Sequence, residues 1–231
     1  MSKNEDLKRI KERIKELEFL INYHKKKYHE EDNPEIEDWE YDKLKHERVS
    51  NKLSKIRYEI KTINTNTSYI CFDLETTGLS AANNKIIEIG AVRIVNGKIE
   101  DEFCTLVNPG IKIPRKIIKI TGINNEMISD APCELEAIQK FINFCKNSAV
   151  LVAHNATFDV SFLVSALKRY NLNFNFKYID TLTLCRNKIK FIKDHKLSTI
   201  AKYFKLPKFN YHRANDDAKT LAMIFLKLLS P

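Results

Sequence analysis

The stretch YICFDLETTG, residues 69–78, decides the fold of this chain. Its apolar first half predicts a buried β-strand. Side chains alternate along a strand, so Asp73 and Glu75 share one face while Leu74 points to the other. Gly78 ends the strand in a turn, which places the carboxylate pair at a strand end beside a loop. Ligand sites in sheets with helical crossovers usually lie at such ends.

Two carboxylates on one face repel each other unless a cation lies between them. Oxygen ligands of this kind suit a hard divalent ion, and Mg²⁺ or Mn²⁺ fit best. A solvated strand edge is the simpler explanation of an Asp-x-Glu pair taken alone. The choice between the two therefore depends on further acids in the chain.

A third acid, Asp159, ends the segment HNATFD at residues 154–159. It follows a short apolar strand, 149–153, and begins a helix predicted over 158–170. We expect Asn155 or Thr157 to cap that helix. The alternative for Asp159 is a favourable interaction with the helix dipole and nothing more.

The segment HRANDD, residues 212–217, supplies a histidine and a fourth acid. On one continuous helix, side chains five positions apart would diverge by about 140°. Both can reach one site only if His212 lies in the loop before the helix and Asp217 in its first turns. A loop histidine suits a general base, although an ordinary surface histidine is the plain alternative.

The order of the remaining elements predicts an α/β fold, a mixed sheet with helices on its faces. A hairpin turn at Asn96-Gly97 joins the second and third strands. Beyond residues 69–75, strands are predicted over 86–95, 103–107, 149–153 and 178–180, and helices after Pro132, over 158–170, 181–188 and 197–204, and from Ala214.

The first 77 residues contain no glycine, and the stretch before the first strand forms a separate, helical part. Apolar residues at alternating steps of three and four predict an amphipathic helix that Asp32-Asn33-Pro34 ends. Asp38 is the expected N-cap of a second helix from Trp39, which makes a helical hairpin. We divide the chain into a hairpin at 1–60, a linker at 61–68 and an α/β domain at 69–231. The apolar seam of the first helix consists of Leu7, Ile10, Ile14, Leu17 and Ile21.

The net charge of +9 is unevenly distributed. Residues 67–231 hold 23 lysines and arginines against 15 acids, which suits a polyanionic partner such as nucleic acid or else serves solubility. The five cysteines show no CxxC spacing, so we expect a reduced, cytoplasmic protein that uses them as small apolar residues. We find no membrane span and no signal peptide.

The motifs DxETTG, HNxxFD and HRAxxD, in this order, resemble those of the DEDDh 3′→5′ exonucleases over residues 68–229. TGI at 121–123 and IDTLTL at 179–184 are similar to the branch found in bacterial replicative polymerases. The resemblance implies a ribonuclease-H-like fold, two Mg²⁺ or Mn²⁺ ions, and release of nucleoside 5′-monophosphates from DNA. RNA 3′-end trimming is the alternative, and a non-catalytic nucleic-acid or protein-binding adaptor is a further one. A DNA polymerase or repair protein is the implied partner.

The same resemblance assigns roles to individual residues. His212 would accept the proton of the attacking water. The end of the nucleic acid would meet the backbone of Thr76 and Thr77 at the terminal sugar and Leu79 at the last base, with Asn155 near the scissile phosphate. The implied metal ligands are Asp73, Glu75, Asp159 and Asp217, with Asp73 shared by both ions.

Residues 5–48 resemble the small N-terminal domain of NAD-dependent DNA ligases, which grips the nicotinamide mononucleotide half of NAD. The chain has no KxDG motif, so we expect no ligation by this chain alone. A bare hairpin would bind a nucleotide weakly, and a docking or DNA-contacting module is the alternative. The implied nicotinamide-nucleotide contacts are Tyr28, His29, Asp38, Tyr41 and Asp42.

Overall fold

A computed structural model gives the structure of the protein. It divides into two compact units, Met1–Ile56 and Arg57–Pro231. Within the first helix, side chains are described at residues 9 and 12–24. The residues that the structure describes are 3–29, 44, 47, 63, 67–146, 149–207 and 212–229.

The first unit contains helix α1, Lys3–His29. Leu17 and Ile21 are buried, as the apolar seam predicts. The Arg13 guanidinium donates to both oxygens of Glu47, over 2.8 and 3.1 Å, so a second segment lies against α1. The predicted cap Asp38, the start of the second helix and most of the linker lie outside the described residues.

The second unit is built on a five-stranded sheet of order β3-β2-β1-β4-β5. β1 pairs antiparallel with β2 and parallel with β4, so the sheet is mixed and the α/β prediction is confirmed. β2–β3 is an antiparallel hairpin and β4–β5 is parallel. The strands are β1 Tyr69–Thr76, β2 Ile86–Val95, β3 Lys98–Leu106, β4 Ala149–Ala153 and β5 Phe176–Asp180.

Helices cover both faces of the sheet. On one face Tyr69 packs edge-on against Phe225, with ring centroids 5.0 Å apart. On the other, Phe72 packs against Phe141 at 5.7 Å. Odd-numbered residues of β1 therefore face the C-terminal helix. The helices of this unit are α2 Arg115–Thr121, α3 Glu134–Cys145, α4 Thr157–Arg169, α5 Thr181–Lys188, α6 Leu197–Tyr203 and α7 Ala214–Leu229.

Two elements differ from the prediction. β3 begins at Lys98 rather than near Phe103, because its first half is a charged, exposed edge. Edge strands commonly carry charges that oppose pairing with other chains, and such residues have low strand propensity. Helix α2 was not predicted, since it has only seven residues and no side chain caps it.

All five cysteines are free, as expected, and Cys71, Cys145 and Cys185 are buried. Cys104 and Cys133 are exposed, so the small-apolar interpretation holds for three of the five. Among the described residues, no helix combines the length and apolarity that crossing a bilayer requires.

Candidate active site

The site begins at the carboxyl end of the central strand β1. Tyr69 and Cys71 pack toward α7, and the same face continues into Asp73 and Glu75, which are partly buried. Across the sheet, Asp73 lies opposite Gly90 and Glu75 opposite Glu88. A Cβ on Gly90 would stand 2.1 Å from the carbonyl oxygen of Ala214. Only glycine there lets the start of α7 lie directly on the sheet beside the acid pair.

Helix α7 brings Asp217 to this end of the sheet, and His212 lies in the loop before it, as predicted. The backbone N–H of His212 donates to Asp217 Oδ2 over 2.8 Å. His212 is exposed and has a φ of 67°, a left-handed conformation that a non-glycine residue rarely adopts. One ligand atom each of Glu75, His212 and Asp217 lie within 4.8 Å of one another.

Asp159, on the first turn of α4, is 3% exposed. Its Oδ1 accepts the backbone N–H of Leu74 over 3.1 Å. That bond ties α4 to the residue between the two β1 acids. The four acids and the histidine predicted to form one site are therefore brought to one end of the sheet.

Burial, and then the crowding of the acids, raises their pKa values. Burial, and then the negative charges of Asp159, Asp217 and Glu75, raise the pKa of Asp73 well above its usual range. Burial, followed by the charge of Asp217, raises the pKa of Glu75 to about 8. Burial raises the pKa of Asp159 to about 8 and that of Asp217 to about 6. Such a cluster is stable in its ionised form only beside positive charge.

The donor set fits divalent cations. Asp217 Oδ1 is buried and has no hydrogen-bond partner, although a buried carboxylate oxygen without one is costly. Carboxylate oxygens are the ligands that Mg²⁺ and Mn²⁺ prefer. A cation beside Asp217 and Glu75 would satisfy that oxygen and offset the repulsion within the cluster.

Sequence reasoning missed Glu88, which anchors the start of α7. Its side chain is 0% exposed and accepts the backbone N–H of Ala214 over 2.8 Å. It also accepts from the Arg213 guanidinium, 2.7 Å from Nη2. Glu88 thus fixes the segment between His212 and Asp217. Its place in the apolar run IIEIGAV, residues 86–92, is the sequence signal, because a lone acid there needs a buried partner.

Asp180 was missed as well, and it corrects the predicted cap of α4. The N-cap position of α4 is Ala156, with no side-chain capping bond, so neither Asn155 nor Thr157 caps the helix. Instead Asp180 Oδ1 accepts the backbone N–H groups of Asn155 at 3.0 Å and Ala156 at 3.3 Å. Asp180 also caps α5, a local role that Asp followed by Thr-Leu-Thr could have indicated.

The predicted substrate-contact residues lie around the same strand end. Thr76 and Thr77 are buried, and the Thr77 N–H already donates to the Lys85 carbonyl over 2.9 Å. A contact from the Thr77 backbone would therefore come from its carbonyl group. The Leu79 side chain is 87% exposed. Asn155 is exposed, with a left-handed φ of 62°.

The predicted nicotinamide-nucleotide contacts cannot be placed in the same way. Tyr28 and His29 lie in the last turn of α1, and their side chains are outside the described part of the chain. Asp38, Tyr41 and Asp42 lie wholly outside the described residues.

Solved structures of several exonucleases have similar folds. Exonuclease X in complex with 5′ overhanging duplex DNA aligns with a TM-score of 0.54 and 28% identity, over 70% of this chain and 90% of that one. The nuclease domain of 3′hExo, a DEDDh family member bound to rAMP, aligns with a TM-score of 0.61 and 22% identity, over 70% and 91%. The architecture is thus the ribonuclease-H-like fold of exonucleases, as predicted.

Residues 70–225 match the family model described as Exonuclease, and the chain belongs to this family. DNA polymerase III PolC-type of Caldanaerobacter subterraneus is 50% identical over 161 residues, which cover 70% of this chain and 11% of that protein. The same protein of Clostridium perfringens is 44% identical over 156 residues, covering 68% and 11%. This chain therefore spans about a tenth of the length of these curated relatives.

Residues 7–64 match a second model, described as a DNA ligase-like, N-terminal NAD+-binding domain. Both resemblances drawn from the sequence are thereby confirmed.

The raised carboxyl pKa values predict how stability depends on pH without divalent ions. A folded-state pKa above the ordinary value near 4 means that the folded protein holds more protons than the unfolded chain. The free energy of unfolding should therefore fall as pH rises from about 4 toward the values near 6 for Asp217 and near 8 for Glu75 and Asp159. Thermal melts with chelator across this range measure it.

Saturating Mg²⁺ should flatten the fall of the free energy of unfolding with pH. Without Mg²⁺, Asp159→Asn should make that fall shallower. The Asn side chain keeps an oxygen for the Leu74 N–H and removes the charge. Equal slopes of the free energy of unfolding against pH in the wild type and the variant would contradict a repulsion between Asp159 and the other acids.

Glu88→Gln should lower both stability and activity. It breaks the pair with Arg213, whose side chain is 39% exposed, and loosens the start of α7. We expect a loss of about 1–3 kcal/mol in the free energy of unfolding. Activity should fall by about 10–100-fold, since Glu88 positions the segment between His212 and Asp217 but is neither a proposed metal ligand nor the proposed base.

The matched control is Glu102→Gln, which removes the pair between the exposed Glu102 side chain and Lys219 of the same helix α7. That change should shift stability by no more than about 1 kcal/mol. Urea unfolding and nuclease rates of both variants provide the comparison. Equal activity in the two variants would exclude a positioning role for Glu88.

Proposed function

We propose that this protein is a divalent-metal-dependent 3′→5′ exonuclease that acts on DNA and releases nucleoside 5′-monophosphates. The observation that carries the proposal is the gathering of four acids and one histidine at the end of β1, from three separate segments. The identity to PolC-type polymerases around this site supports it.

In this proposal Asp73, Glu75, Asp159 and Asp217 hold the metal ions. Bound divalent ions would supply Lewis-acid stabilisation of the attacking and departing oxygens of the phosphodiester. The chain fixes these ligands before substrate arrives, because Asp159 is bonded to the Leu74 N–H and Asp217 to the His212 N–H. Preorganised groups of this kind cost no rearrangement during the reaction.

His212 is the proposed base. Its imidazole is exposed, so it can reach a water molecule at the scissile phosphate and accept its proton at a ring nitrogen. The backbone bond to Asp217 holds the loop in its unusual conformation. Strained residues often occur at functional sites, where the surrounding contacts maintain them.

The terminal nucleotide is proposed to meet the turn after β1. The exposed Leu79 can pack on the last base, and the Thr76–Thr77 backbone lies beside the acid pair for contact with the terminal sugar. Asn155 is held at the start of α4 by Asp180, which sets it close to Asp159 and hence to the scissile phosphate.

DNA is the proposed substrate, and RNA 3′-end trimming is the second candidate. Exonuclease X is described in complex with duplex DNA, and the relatives are DNA polymerases. The 3′hExo domain bound to rAMP, and a 3′-exonuclease that recognises a histone mRNA stem-loop, support the RNA alternative. Recognition of the 2′-hydroxyl would distinguish the sugars. The PolC-type relatives also suggest a replicative polymerase or a repair protein as partner.

The decisive experiment digests three 5′-labelled substrates side by side: single-stranded DNA, a duplex with a mismatched 3′ end, and short RNA. We expect ladders that shorten from the 3′ end on DNA with Mg²⁺ or Mn²⁺ and stop with chelator. Faster digestion of RNA would favour trimming. Binding without digestion in Mn²⁺ would favour a non-catalytic adaptor and overturn the proposal.

For the N-terminal unit we propose weak binding of a nicotinamide nucleotide, supported by the match of residues 7–64. Titration of NAD and nicotinamide mononucleotide into the full chain, followed by calorimetry, tests it. Tyr41→Ala should abolish the signal. No heat at millimolar ligand would leave the docking or DNA-contacting module.

A further inference from the structure

One loop of the second unit exposes an aromatic side chain to solvent. Residues 189–196, which join α5 to α6 and are called here the Phe191 loop, have the sequence IKFIKDHK. Among the described residues, Phe191 is the most exposed of the large apolar side chains, and its φ of 60° is left-handed. Exposing a phenylalanine forgoes the free energy that its burial would supply. The loop thus presents Phe191 rather than burying it.

The loop is held by bonds on both sides of Phe191. His195 Nε2 donates to the carbonyl oxygen of Ile189 over 3.1 Å and closes the loop on itself. Ile189 is buried, and Ile192 packs against the same core cluster. The Asp194 side chain accepts the Lys196 N–H at 3.1 Å at the start of α6. The exposed ring therefore belongs to a defined surface.

A hydrogen bond connects this surface to the candidate active site. His154 Nε2 donates to the carbonyl oxygen of His195 over 2.8 Å. His154 directly precedes Asn155, and both belong to the segment that ends in Asp159. The Phe191 loop is thus bonded to the segment that carries Asp159.

The charge around Phe191 defines the partner. The loop exposes three lysines, Lys190, Lys193 and Lys196. Its one acid, Asp194, accepts a backbone N–H at the start of α6. Lysines favour phosphates, and an exposed ring offers a stacking surface for a base. Paired bases are already stacked on their neighbours, so the combination fits single-stranded nucleic acid.

We propose that the Phe191 loop is a second contact for the single-stranded 3′ segment of the substrate, in which Phe191 stacks on an unpaired base and the lysines neutralise neighbouring phosphates. This inference rests on the proposed exonuclease function and adds a binding surface outside the catalytic groups. The loop contributes to holding the strand and takes no part in the bond cleavage.

The test measures binding and turnover of the full-length protein. Phe191→Ala should weaken binding of a labelled oligothymidylate of about twelve nucleotides by about tenfold or more, whereas Phe191→Trp should retain it. The matched control is Tyr203→Ala, which removes another exposed aromatic side chain, on α6. Binding is measured in the Asp73→Asn background so that the strand stays intact.

The lysines are tested by the salt dependence of binding. The Lys190→Ala/Lys193→Ala double variant should lower the slope of log affinity against log salt by about 0.7 for each phosphate that a lysine no longer neutralises. The Lys116→Ala/Lys119→Ala variant on α2 has the same charge change at exposed positions and should keep a slope nearer to the wild-type value.

A small substrate, the p-nitrophenyl ester of thymidine 5′-monophosphate, separates this proposal from the catalytic one. Phe191→Ala should hydrolyse the ester at the wild-type rate and show a raised KM only on long strands. If Phe191→Ala and Tyr203→Ala bind and digest long strands equally, the loop proposal is overturned. If the wild type hydrolyses neither substrate, the exonuclease proposal itself fails.

Discussion

Replacing Asp73 by Asn should reduce nuclease activity by about a thousandfold or more while leaving the protein folded. Burial, followed by the charges of Asp159, Asp217 and Glu75, raises the pKa of Asp73, so Asp73 belongs to the acid cluster that is proposed to hold the metal ions. Losing a ligand that contributes several kcal/mol of transition-state stabilisation corresponds to such a factor. Rates on 5′-labelled single-stranded DNA in Mg²⁺ measure it.

Although Asp73→Asn should lower activity, it should not lower thermal stability when divalent ions are absent. Asn removes one charge from a repelling cluster, so with chelator near pH 8 the variant should melt at or above the wild-type temperature. Mg²⁺ should raise the melting temperature of the wild type more than that of Asp73→Asn, because a ligand stabilises the state that binds it. Asp130→Asn, at an exposed position, should behave as wild type. Undiminished metal-dependent activity of Asp73→Asn would exclude the assignment.

The sequence was sufficient to predict the four acids and the histidine of this site, because each of them belongs to a local pattern. Alternation along β1 put Asp73 and Glu75 on one face, and helix geometry forced His212 off the helix that carries Asp217. These inferences need only the repeat of a strand or a helix. The structure places the residues accordingly.

The residues that position these groups depend on contacts between distant segments, which no local pattern contains. Glu88 and Ala214 are 126 positions apart, and the need for glycine at position 90 exists only because α7 lies on β2 there. In place of the expected local cap, Asp180 of β5 holds the backbone just before α4. A buried acid within an apolar strand shows that a partner must exist but does not identify it.

His212→Asn should lower kcat by about 10²–10⁴-fold, the usual contribution of a general base. Asn tolerates the left-handed conformation at this position, so the loop should keep its course and the N–H donated to Asp217. The amide cannot accept the proton of a water molecule at neutral pH. Turnover under saturating strand concentration measures the loss, and KM should change little.

The response to Mg²⁺ distinguishes a base from a ligand. The atoms that Glu75, His212 and Asp217 offer lie close enough for one cation to contact all three. If His212 is the base, His212→Asn retains the wild-type Mg²⁺-induced rise in melting temperature, in contrast to Asp73→Asn, and added imidazole restores part of the activity of His212→Gly. If the rise is lost with the histidine, His212 is a metal ligand, and the proton of the attacking water must be accepted by another group.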